Sequence, residues 1–180
     1  MYFVLKTEPF ICLGNGLLTI GGYVGLGISL SNIEYISIEK QHRCKPMDLP
    51  YEVDSHASVH VPFLSGVVTC GGEHESHQFA KCILQSKNNV STEFNSMNTQ
   101  RSAFAMVTNG IEVFSFGGFP YGLNNMERID VKNESRSWVQ QEMPFSVYFH
   151  CAVILDATII LSGGRDENNE VSWEKLSCVR

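Results

Sequence analysis

The chain predicts an all-β fold built from four-stranded antiparallel units, and three observations predict it. Gly-Gly pairs follow an apolar run four times, at Gly21-Gly22, Gly71-Gly72, Gly117-Gly118 and Gly163-Gly164, at spacings of 50, 46 and 46 residues. The run after each pair also recurs: Ile33–Ile38, Ala80–Gln85, Met126–Val131 and Glu170–Leu176. No useful stretch has apolar residues at helical spacing, whereas short β-rich runs between turn residues fill the chain. A fixed period near 50 residues marks a repeat architecture.

Each element follows from its local composition. Met1–Lys6 alternates as a strand, and Phe10–Leu13 and Leu17–Ile20 are joined by a tight Gly14-Asn15-Gly16 turn. Tyr23–Asn32 reads as a loop and Ile33–Ile38 as a half-buried strand. Tyr51–Ser55 leads into the second unit, whose first strand, Ala57–Val61, stops at Pro62 because proline lacks an amide donor. Val67–Cys70, the polar loop Glu73–Gln78, the Asn88-Asn89 turn and an outer strand anchored by Phe94 complete it. The third unit is the clearest: Ala103–Val107 and Ile111–Phe116 flank Asn109-Gly110, then come Met126–Val131 and a strand centred on Trp138, closed by Met143-Pro144. The fourth holds Cys151–Leu155, an Asp156-Ala157 turn, Thr158–Ser162 and the loop Arg165–Asn169. Strands that are apolar on both faces expect cover on both sides. Glycines at their ends permit a sharp exit from the sheet.

With Glu127, Trp138 and His150 completing the third unit, this pattern resembles the kelch repeat, the four-stranded blade of a β-propeller. The Trp position holds Cys44 in the first unit and Phe94 in the second. The resemblance covers residues 8–180 and implies one repeat domain over 1–180, with blades near 1–50, 51–98, 99–146 and 147–180, the first and last partial. It implies an incomplete ring of about 3.5–4 blades, expected to be a piece of a larger propeller, since rings close with ~4–8 blades. The alternatives are a chain that pairs with a second copy and an open arc, whose exposed strand edges would be available for self-association.

Thirteen Lys and Arg against 19 Asp and Glu give a net charge of −6 with no basic cluster, which disfavours nucleic acid and anionic membranes as partners. The most apolar stretch, Gly16–Leu30, is too short to span a bilayer. No basic region precedes the short apolar run at the N-terminus, so no signal peptide is visible. Six cysteines, Cys12, Cys44, Cys70, Cys82, Cys151 and Cys178, form no CxxC; outside the cell they could pair, and in the cytosol they would be small buried apolar residues. Sequons stand at Asn89 and Asn133. The compartment is left open between cytoplasm and extracellular space.

The densest group of potential ligands is Cys70, His74, His77 and Cys82, suited in type to zinc. Its spacing matches no known finger. A solvated loop above two buried cysteines is the expectation, with a Cys70–Cys82 disulfide as the alternative, and no metal or cofactor is assigned. His56 and His150 occupy equivalent repeat positions, which favours a structural role such as bonding a neighbouring blade's backbone. Asp54 and Asp166 stand singly, so no catalytic residue is assigned. Nothing here is equivalent to the active site of a galactose-oxidase-like propeller, which leaves an enzyme as the last-ranked reading.

The resemblance implies a partner-docking face made of the loops after the Gly pairs and the loops between units. Tyr121, Arg101, Arg165, Tyr148 and His74 are the expected exposed contacts. The function expected is a non-enzymatic protein-interaction scaffold of unknown partner, similar to ubiquitin-ligase substrate adaptors or actin-associated kelch proteins. The alternative is a secreted kelch-type binding or matrix protein.

Overall fold

A computed structural model describes residues 10–170 apart from 14, 15, 25–27, 38, 40–42, 45–47, 87–89, 121, 122, 134, 157, 167 and 169. The strand expected over Met1–Lys6, and that over Glu170–Leu176 beyond its first residue, lie outside the described residues.

The described chain is all-β, its only helical turn a 3-10 turn at Pro62–Leu64. In the first unit β1 (Phe10–Leu13), β2 (Gly16–Ile20), β5 (Ile33–Ser37) and β6 (Arg43–Cys44) form one antiparallel sheet in that order. A small hairpin, β3 (Tyr23–Val24) with β4 (Ile28–Ser29), rises from the segment expected to be a plain loop. The second unit repeats the plan with β7 (Ala57–Val61), β8 (Gly66–Cys70), β11 (Cys82–Ser86) and β12 (Ser91–Phe94). Its polar loop again holds a hairpin, β9 (Glu73–His74) with β10 (His77–Gln78).

The third unit orders β13 (Ala105–Thr108), β14 (Glu112–Phe116), β15 (Asn125–Asp130) and β16 (Val139–Glu142). Trp138 immediately precedes β16 rather than sitting at its centre. In the fourth, β17 (Cys151–Leu155) pairs with β18 (Thr158–Ser162). No sheet closes on itself among the described residues.

The units stack as a row with apolar clusters in the gaps. Leu18, Ile20 and Ile33 of the first meet Val67 and Ile83 of the second. Ala57, Val59, Val61, Val68, Cys70 and Cys82 of the second meet Met106, Val113, Ile129 and Trp138 of the third. Val107, Phe114, Phe116 and Met126 of the third meet Ile159 and Leu161 of the fourth. The inner strands β8 and β14 are covered on both faces in this way, which is why their runs read as continuous rather than alternating.

The repeat is legible in the backbone. All four Gly pairs have positive φ. The second glycine's amide donates to Val53 in the first unit, Arg101 in the second and Val147 in the third, at 3.0, 2.9 and 2.8 Å. Two residues after each acceptor stand Ser55, Ala103 and Phe149, all left-handed although none is glycine. Ala103 N–H donates to the Ser55 carbonyl at 2.7 Å, and Phe149 N–H to the Ala103 carbonyl at 2.9 Å. Backbone hydrogen bonds thus tie successive units together at one level.

Candidate interaction face

The loops after the Gly pairs and the loops between units lie on one side of the row, joined by a line of backbone bridges. Leu30 pairs with Val53, Asp54 with Glu73, Ser102 with Phe119, and Tyr148 with Arg165. These loops carry every described residue expected to touch a partner, and their chemistry changes along the line.

Around the second unit the face is acidic. The Asp54 carboxylate accepts from Ser29 Oγ at 2.7 Å and Ser55 Oγ at 2.9 Å, and Glu73 accepts from Ser102 Oγ at 2.9 Å. His74 is half-buried opposite His77 in the β9–β10 hairpin, with Glu52 and Glu75 carboxylates 3.8 and 4.0 Å from its ring. Those distances are too long for hydrogen bonds but give the imidazole two anionic neighbours. Below the hairpin, Cys70 and Cys82 face each other across β8 and β11 and form a buried disulfide. This takes the alternative reading of the pair over two free buried thiols, and it removes both sulfurs from any metal set. Among the described residues no group of three or more His, Cys, Asp or Glu is placed to hold a metal.

Toward the fourth unit the face becomes aromatic. Phe119, Tyr148 and Phe149 form a triad with ring centroids 4.4 to 5.8 Å apart. Tyr148 is buried, Phe119 half-buried, and Phe149 stands 56% exposed on top. Tyr148, expected to be exposed, is thus the buried ring, and Phe149, which follows the expected loop, is the exposed one. The left-handed backbone at 149 is what turns the two side chains to opposite environments. Arg165 is exposed, as expected, beside Tyr148. Tyr121 lies outside the described residues.

Arg101 is the main correction. Expected on an exposed loop, it is 0% exposed. Its Nη2 donates to Glu127 Oε1 and to Asn125 Oδ1, both at 2.7 Å, and Nη1 donates to the Gly117 carbonyl at 2.8 Å. Glu127 is equally buried and also accepts from the backbone amides of Asn98 and Thr99 at 2.6 and 2.9 Å. Burial pulls the Arg101 pKa down while the Glu127 carboxylate holds it up. This buried charge pair, held through both Nη groups while Nε reaches no partner, pins the second unit's outer loop to the third unit's sheet. Trp138 does the same at the rim: it is buried and its Nε1–H donates to the Asn95 carbonyl at 2.7 Å.

His56 and His150 are buried behind the face, and neither ring nitrogen of either reaches a hydrogen-bond partner. The expected bond to a neighbouring backbone is therefore absent. The Ile20 backbone lies near enough to His56 to oppose its shift, yet outside hydrogen-bond geometry. Burial pushes His56 down to about 4; burial, aided by the Arg101 charge, does the same to His150. Both are neutral packing residues near neutral pH.

No family model and no curated protein matches this chain. What the face can do is read from its side chains alone: carboxylates engaged by hydroxyls, a histidine between two acids, and an aromatic ledge with one ring presented to solvent.

Proposed function

We propose that this chain is a non-enzymatic protein-interaction scaffold whose units are blades of an incomplete kelch-type β-propeller, presenting this loop face to a protein partner. The observation that carries the reading is Phe149: a large apolar ring, mostly exposed, fixed by a left-handed backbone on a packed aromatic base. A preordered exposed aromatic on a loop face suits a binding hot spot. The acidic neighbourhood of Glu52, Glu73, Glu75 and Asp54 favours a partner segment that sets Lys or Arg beside an apolar anchor. The propeller reading is supported by the row of face-packed sheets and by the repeated left-handed positions at 55, 103 and 149.

The extracellular version of this scaffold has one observation in its favour. The Cys70–Cys82 disulfide fits an oxidising compartment better than the cytosol.

A random-peptide display library tests the reading. Selected peptides are expected to combine a basic residue with an aromatic or aliphatic one. They should bind the Phe149→Ser variant about tenfold or more weakly, and a Val139→Ser control, altered on the outer strand, as well as the native chain. Peptides indifferent to Phe149→Ser would sink the proposal.

A further inference from the structure

Each unit offers the next a far face of the same kind. In the second unit the far face of β7 is Ala57, Val59 and Val61, all buried against the third. In the third unit it is Ala105 and Val107, both buried, with Val107 packed among fourth-unit residues. In the fourth unit the matching positions are Cys151, Val153 and Leu155. All three are exposed, Val153 at 54% and Leu155 at 62%. The residues between them, Ala152 and Ile154, pack back on the third unit. So β17 is apolar on both faces, the composition of a strand covered on both sides, and among the described residues it is covered on one.

The other end of the row carries the complementary half. The position two before each Gly pair points toward the preceding unit. It is Thr69 in the second unit, Ser115 in the third and Leu161 in the fourth, all buried. In the first unit it is Thr19, which is half-buried, as are Glu34 directly across from it and Ile36 two positions further along that strand. Leu18, Ile20 and Ile33 of the same sheet point the other way, into the second unit.

We propose that a second copy of this chain covers the Val153–Leu155 face, seating its first unit there head to tail. The face is the next in register after three interfaces already formed within the chain, and the near face of the first unit is the half that fits it. A head-to-tail contact made once leaves one open face on each copy; made twice in a closed pair it leaves none. The closed pair rests on the propeller reading, because eight units is within the ~4–8 that such rings close with. The covering of the Val153–Leu155 face by a copy does not rest on it.

Sedimentation velocity on the 180-residue chain, with circular dichroism on every variant, tests this. The native chain is expected to sediment as a dimer at micromolar concentration. A Val153→Asp/Leu155→Asp double variant should be a monomer with an unchanged spectrum, because both side chains are solvent-exposed within one copy. Thr19→Arg, on the first unit's near face, should also give a monomer. Mixing the two variants should restore a dimer, since one intact far face then meets one intact near face. A monomeric native chain, or a Thr19→Arg variant as dimeric as the native one, overturns the proposal. Open-ended polymers would overturn the closed pair and with it the eight-unit ring, while leaving the head-to-tail contact standing. The peptide-binding test at Phe149 is read separately from all of these.

Discussion

Two glycines at the same repeat position separate what the backbone demands from what the neighbours demand. Gly117 and Gly163 both have left-handed φ, +54 and +71. A Cβ on Gly163 would meet open space, whereas on Gly117 it would collide with the Val147 carbonyl oxygen. Gly163→Ala is therefore expected to cost only the left-handed penalty of an L residue, about 1–2 kcal/mol. Gly117→Ala adds a clash with backbone that cannot rotate away, and its cost should exceed about 3 kcal/mol. Urea unfolding midpoints on the two variants check this, and equal losses would show that packing at the Gly117 exit is not what fixes it. Arg101 makes the same point about position over residue type. It occupies the slot held by Val53 and Val147, both buried, so alignment of the repeats already places a large cation in an apolar position. Read alone, an arginine in an interunit loop suggests solvent. Read in register, it demands a buried acid, and Glu127 is that acid.

At the scale of elements, the strands and their order were legible because period, Gly pairs and apolar runs all point to the same sheet. The connecting loops were less so. The β3–β4 and β9–β10 hairpins are two residues per strand, too short to show any alternation, and the Phe119–Tyr148–Phe149 triad is assembled from two loops of different origin. Two residues that join elements are expected to contribute to the pH response of the chain. His56 and His150 are buried with pKa values near 4, against 6.5 for the free side chain. Between those values the unfolded chain binds more protons than the folded one, so stability rises with pH and is lost as pH falls through the window. Each histidine should contribute a loss of about 2 kcal/mol by pH 5 and about 3 kcal/mol by pH 4, levelling off about a unit below the folded value. Phe104 fills the third equivalent position, so a His56→Phe/His150→Phe variant can keep the packing while removing the titration. Thermal melts from pH 7 to 4 should slope for the native chain and flatten for the variant. Parallel slopes would locate the acid sensitivity elsewhere.

For the whole molecule, stability should follow the row, because each sheet is held chiefly by its neighbours. β13 and β17 make a matched comparison. Each is the first strand of its unit, each pairs with one partner strand, and they differ in cover: β13 is buried on both faces while every other residue of β17 is exposed. Hydrogen exchange at concentrations where the chain is monomeric should therefore be faster in Cys151–Leu155 than in Ala105–Thr108, since exposed faces open with less loss of apolar contact. As concentration rises and a second copy seats on Val153 and Leu155, β17 should slow toward β13, while β14, already enclosed, should not change. A difference that persists at all concentrations would mean that the fourth unit is intrinsically loose. A difference that closes would mean that its looseness is only the absence of a neighbour, and that the apolar pattern of β17 already describes the contact that completes it.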